Sequence, residues 1–133
     1  MAYRFEVDAA ACVLLCRFTE SVSEQRIGRF YREAGAHIER MRPRAVIFDF
    51  TEVTSFDVSS GSVHSLADAP PLIPDASCPR VVVAPAQHIY AMSRMFQIVG
   101  ERSRPTFRVV RSLAEALAVI GLAQPDFKTL TPE

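Results

Sequence analysis

The stretch Asp49–Val63, DFTEVTSFDVSSGSV, decides how this chain is read. Just upstream, Arg44–Phe50 (RAVIFDF) is a near-continuous run of apolar strand formers, the pattern of a strand buried on both faces. Downstream, the pattern predicts a short helix reaching about Ala67. Between the two, a polar loop is expected to pass Asp57 and bring Ser59 and Ser60 to the helix start. Open α/β sheets bind ligands beyond the carboxyl ends of their strands. A helix start there offers unpaired N–H groups and a positive dipole end, and so favours negative charge. Asp57 or Ser59 can supply the N-cap. A hydroxyl in the same place can instead carry a phosphate, which changes an exposed surface by roughly two charges.

Outward from this stretch the chain alternates strands and helices. Tyr3–Val7 and Ala11–Phe18, separated by a short gap, read as a hairpin. Ser21 and Glu24 have the S-x-x-E spacing of a capping box. Beyond them Ile27, Phe30, Tyr31, Ala34, Ile38 and Met41 form one apolar helical stripe, closed by Pro43. Arg80–Ala84 repeats the buried-strand character, and the prolines of DAPPLIPDASCP make the connection before it extended and unpaired. A third helix is predicted over Gln87–Val99, stopped by Gly100. Thr106–Val110 is a further strand, and Ser112 with Glu115 caps a last helix that Gly121 ends. The order β-β-α-β-α-β-α-β-α predicts a single α/β domain over residues 1–122, with a tail over 123–133. Its sheet is expected to be mixed, mostly parallel and five-stranded, with four helices and right-handed crossovers.

Composition narrows the function. The 133 residues carry 15 basic and 15 acidic side chains, a net charge of +0 that argues against a nucleic-acid binder. Apart from Lys128 the basic residues are arginines. Cys12, Cys16 and Cys78 are odd in number and contain no CxxC pair, so buried free thiols are expected and no metal site. The amino terminus shows no signal-peptide pattern, and no apolar run is long enough to span a bilayer. A cytoplasmic protein without a cofactor is the expectation.

The segment VTSFDVSSG, Val53–Gly61, resembles the signature of STAS domains, the family of bacterial anti-sigma-factor antagonists. In that family a strand of the type DLSGV leads to FxDSSG at a helix start. Asp49, Phe50 and Thr51 resemble its D-[LF]-S, and Val53 its apolar residue before the loop. Matched forward from Val53, Asp57 falls on the motif's aspartate and Ser59 on its second serine, the one phosphorylated in those antagonists. Matched backward from SSG, Ser60 takes that place. Val58 interrupts the DSSG pattern, and SVHSL replaces the usual small apolar helix start. The segment Met92–Leu122 resembles the family's final helix, strand and capped helix. The chain more closely resembles the bacterial STAS-like group, itself similar to lipid-binding Sec14-type domains.

What this resemblance implies is a non-enzymatic signalling module acting by protein–protein contact, with an anti-sigma-type kinase as the type of partner. Ser59, or Ser60 as the second candidate, would carry the phosphate, and Asp57, Ser59, Ser60, Gly61 and His64 would form the contact surface. A hydrolase is disfavoured, because no glycine stands two residues before either serine as a nucleophile elbow requires. The third helix opens an alternative. Ile89, Met92, Phe96 and Val99 make one apolar stripe, and Ala91, Met95 and Ile98 a second. So wide a surface suits core packing, a homodimer contact, or a pocket for a small apolar ligand or lipid near Tyr90, Met92, Met95 and Phe96. Arg94, Arg102, Arg104, Arg108 and Arg111 cluster near the last strand, as solvated surface or as a site for an acidic partner or phosphate.

Overall fold

The computed structural model describes residues 3–130. The elements are β1 (Tyr3–Asp8), β2 (Val13–Ser23), α1 (Glu24–Met41), β3 (Ala45–Asp57), α2 (Ser60–Asp68), β4 (Arg80–Val83), α3 (Gln87–Val99), β5 (Phe107–Val110), α4 (Leu113–Ile120) and β6 (Lys128–Thr129). One sheet runs β5-β4-β3-β2-β1-β6. Strands β2 to β5 are parallel, while β1 lies antiparallel between β2 and β6. The expected α/β order and mostly parallel sheet are found, with six strands in place of five. The extra strand, β6, is two residues long and too short for a periodic signal. Leu130 N–H donates to Phe5 O and Asp126 N–H to the Asp8 carboxylate, which lays this segment along β1.

The sheet is covered on both faces at its centre. Leu14, Cys16, Phe18 and Val22 of β2 and Val46 and Phe48 of β3 meet Phe30, Ala34 and Ile38 of α1, with α2 and α3 beside them. On the other face Val13, Leu15, Ala45, Ile47, Val81 and Val83 pack under Ala116 and Ile120 of α4. Each fully buried aliphatic side chain contributes about 1.5–3 kcal/mol, so these central strands dominate the fold's stability. Beyond the reach of α4 the same face turns ionic. Glu6 Oε2 accepts from Arg4 Nε and Arg17 Nε, both at 2.9 Å, and Arg17 Nη1 reaches Asp49 Oδ2 at 3.1 Å. Asp49 is 1% exposed. It also accepts from the N–H and hydroxyl of Thr51.

Two expected boundaries move. First, β3 does not end near Phe50 in a polar loop but continues to Asp57. β4 stops at Val83 opposite Asp49, so the outer part of β3 pairs with β2 alone. The polar residues Thr51, Glu52, Thr54 and Ser55 are tolerated there because they face solvent. Second, β2 runs to Ser23, and Ser23, not Ser21, caps α1 by accepting from Arg26 N–H. Ser21 is taken by Arg26 Nη1 at 2.7 Å. Ser112 and Gly121 bound α4 as expected, Gly121 at φ 69. Cys16 and Cys78 are buried free thiols, whereas Cys12 sits half-buried in the β1–β2 turn at φ 56, off the strand that carries Cys16.

Gly100 is required by close approach. A Cβ there would lie 2.7 Å from Arg104 Nη1 and 3.3 Å from Ala67 O. Gly100→Ala is therefore expected to destabilise the protein by about 1–3 kcal/mol through overpacking. A Cβ at Gly28, inside α1, would meet nothing within 4 Å, so Gly28→Ala should stabilise by about 0.5–1 kcal/mol. Urea unfolding of the two variants checks both signs.

Candidate functional site

The parallel register of β2 and β3 pairs Ser23 with Asp57, the last residue of each strand. Helix α1 starts at the next residue of one chain segment, and Val58 and Ser59 lead into α2 on the other. The two helix starts therefore lie side by side. Val58 is buried as the floor between them, which is why an apolar residue stands where the signature has a serine.

Ser59 is the N-cap of α2. Its Oγ accepts from Ser62 N–H at 3.1 Å. The same Oγ lies 3.1 Å from Glu24 Oε1 and 3.0 Å from Ser62 Oγ. Ser59 N–H points at Glu24 Oε1 at 3.4 Å, and Ser62 hydroxyl donates to that same oxygen. The carboxylate of Glu24, from the first turn of α1, thus occupies the positive end of α2. The hydroxyl of Ser62, then the N–H and hydroxyl of Ser59, hold the Glu24 carboxyl below the usual glutamate range. A cleft between α1 and α2, lined by Glu24, Ser59, Gly61 and Ser62, opens here to solvent.

The sequence-predicted surface is partly assembled. Ser59 and Gly61 line the cleft, and Ser60 is exposed as the first helical residue. Asp57 is exposed at the end of β3 and does not cap the helix, a role that Ser59 holds. His64 is exposed on α2, and the polar partners of Ser59 are Glu24 and Ser62 rather than a histidine. Reasoning from sequence missed Glu24, because its capping-box spacing to Ser21 gave it a local task. The available signal was the serine triplet Ser59, Ser60 and Ser62 with no acid in the first turn of α2.

The alternative pocket exists in altered form. A cavity of about 120 Å³ lies between the sheet and helices α1, α2 and α3, and Met92 and Phe96 line it. Tyr90 and Met95 do not. Tyr90 instead lies under Arg111, whose Cζ is 3.8 Å from the ring centroid, and Met95 packs into the core. The cavity compares with the roughly 150 Å³ that admits benzene, not a lipid chain. The second α3 stripe is largely solvent-facing, with Ile98 61% exposed. Of the late arginines, Arg94, Arg102, Arg108 and Arg111 are exposed, but Arg104 is buried against the end of α2. No helix among the described residues is long and apolar enough to cross a membrane, and none of their acidic, histidine or cysteine side chains cluster as metal ligands.

By sequence, no family model and no curated protein matches the chain. By structure, it is similar to the unphosphorylated anti-sigma factor antagonist SpoIIAA, with TM-score 0.61 and 12% identity over 90% of this chain and 98% of that one. The phosphorylated form of the Bacillus cell-fate determinant SpoIIAA gives TM-score 0.58 and 15% identity over 90% and 99%. A DUF3478-family protein with a SpoIIAA-like fold from Shewanella loihica gives 0.53 and 11% over 88% and 90%. The fold is STAS-like. It is similar to that of SpoIIAA, a mixed sheet, mostly parallel, with four helices.

Ser59→Ala removes the cap and is expected to cost about 1 kcal/mol. It also returns the Glu24 pKa toward the ordinary range, because two of its donors are lost or moved. The sign of the pH effect follows from a depressed carboxyl. Glu24's contribution is complete above the ordinary glutamate pKa and disappears as pH falls through its lower folded value. Ser60→Ala should leave stability within about 0.5 kcal/mol. Carboxyl-carbon NMR titration of Glu24 in the parent and both variants checks these expectations.

Proposed function

We propose that this chain is a non-enzymatic regulatory module that works by protein–protein contact at the start of α2, with Ser59 as its switch. The observation that carries the reading is the Glu24–Ser59–Ser62 cluster, which places a hydroxyl at an exposed helix start in contact with a carboxylate from a second helix. The SpoIIAA-like architecture, one relative of which is described in a phosphorylated form, supports it.

In the unmodified protein, Glu24 neutralises the α2 dipole and joins the starts of α1 and α2 into one surface. A partner then meets Asp57, Ser60, Gly61 and His64, all exposed around that junction. An anti-sigma-type kinase suits the surface, since it would bind the helix start that it modifies. Transfer of a phosphoryl group from its nucleotide to Ser59 Oγ puts roughly two negative charges beside Glu24. Two anionic groups then compete for one helix end, and the phosphate, with more charge and more acceptors, displaces the carboxylate. The junction opens, and the added bulk and charge exclude the partner.

Native mass spectrometry of protein purified from its own host tests the switch. A mass increment of one phosphate, absent from Ser59→Ala, is the expected result. An increment that persists in Ser59→Ala and vanishes in Ser60→Ala would move the switch one residue along the helix. In the phosphorylated protein, Glu24 is expected to titrate higher than in the unmodified one, because a neighbouring anion disfavours its charged form. An unchanged Glu24 titration would refute displacement as the mechanism.

A further inference from the structure

The cavity beneath α3 has an unusual charge pattern. Phe18, Phe48, Phe50, Phe96 and Phe107 supply aromatic wall, yet the lining also includes two arginines and no acidic residue. Arg80 is 2% exposed and Arg104 4%. Arg80 donates to the carbonyls of Ile73, Asp75 and Cys78, and Arg104 to those of Leu66, Ala67 and Ala69. These bonds use three of the five N–H groups of each guanidinium, and a carbonyl carries no formal charge. Among the described residues neither guanidinium has an ion-pair partner within bridging distance. Burial lowers the pKa of both; at Arg80 it is opposed by Cys78 and the exposed Asp75 and reinforced by the like charge of Arg104, and at Arg104 it is opposed by Tyr31.

Burying a cation without a counter-charge is costly, and two neighbouring ones repel. Closing the α2 end explains the carbonyl bonds of Arg104. It does not explain why both charges stand at the wall of an aromatic cavity. Arg104 Cζ lies 4.7 Å from the ring centroid of Phe96, itself part of the lining. Gly100 lacks a side chain where Arg104 passes, so the chain makes room for that guanidinium. The cavity, at about 120 Å³, is close to the roughly 150 Å³ known to admit a benzene ring. Ile27, Tyr31, Val58 and Leu66 line both this cavity and the open cleft between α1 and α2, so motion of these side chains gives a way in.

We propose that this cavity binds a small aromatic carboxylate of about benzoate's size, its ring among the phenylalanines and its anionic end drawn by Arg104 and Arg80. The ligand supplies the negative charge that the lining lacks. Its ring replaces void with contacts, and its carboxylate accepts from guanidinium N–H groups that face no acid. The cavity shares a wall with the cleft at Ser59 but does not include Ser59, and it is tested on the unmodified chain without any partner, so failure of one reading leaves the other standing.

Calorimetric titration of the full chain with benzoate, beside its neutral isostere benzamide, tests the proposal. Benzoate is expected to bind at a single site about tenfold or more tightly than benzamide, the discrimination that a charged hydrogen bond confers. Ser93→Leu fills the cavity from α3 and leaves both arginines in the sequence, and should abolish benzoate binding while circular dichroism stays native. Arg104→Met should lower benzoate affinity to the benzamide level. If that variant fails to fold, the isostere comparison and Ser93→Leu decide the matter alone. Absence of benzoate binding, equal affinity for the two probes, or binding indifferent to Ser93→Leu would overturn it.

Discussion

The register between β2 and β3 is the constraint on which the rest of this structure depends. The two strands pair in parallel from Val13 opposite Ala45 to Ser23 opposite Asp57, so the helices that follow must begin together. A slip of one residue would turn the side chains of one strand to the faces opposite those of its partner. The pairing is not uniform along its length. It breaks step between Arg17 and Thr19 and again between Glu20 and Ser21, where Glu20 takes φ 61. These irregularities let strands buried on both faces at one end continue as a polar ribbon at the other, while Val22 and Phe56 still face the core.

Helix ends then organise the charges. At the start of α2, Glu24 stands where the dipole is positive, and at its other end Arg104 stands where orphan carbonyls gather. The helix is thus held by opposite charges from α1 and from the segment after α3. Both contacts are long in sequence, so α2 owes its position to tertiary partners more than to its own weakly apolar residues. Only Val63 and Ala67 are buried in it. A helix so held is easily re-biased by a new charge at its first turn.

Much of the fold was legible because periodic signals are local. The α1 stripe, the caps at Ser112 and Gly121, and the buried strands all follow from residues within a few positions of one another. The site was less legible because its key contacts join residues 35 or more apart in sequence. Glu24 satisfied a local capping pattern and so concealed its bond to α2. Arg104 sat among surface arginines in sequence, and only the path of the chain past Gly100 buried it. Lys128–Thr129 is two residues long, and pairing with β1, not alternation, makes it a strand.

The signature that suggested the fold divides into two parts with different physical tasks. Asp49 is buried on the sheet, where it is fixed by Arg17 and by the backbone N–H and hydroxyl of the exposed Thr51. Exposed pairs in that network, such as Arg4 with Glu52, contribute about 0–1 kcal/mol. Loss of Arg17 would instead leave a nearly buried carboxylate without its cation, which is far more costly. This half of the signature is therefore a folding constraint, and its resemblance carries architecture. The other half, Ser59 to Gly61, is exposed, and its structural task is local: Ser59 caps α2. Val58 marks the seam, since its burial as the floor between α1 and α2 makes the departure from DSSG a packing choice. A change that fills the floor leaves the hydroxyl next to it in place, so Ser59 keeps its cap and its contact with Glu24.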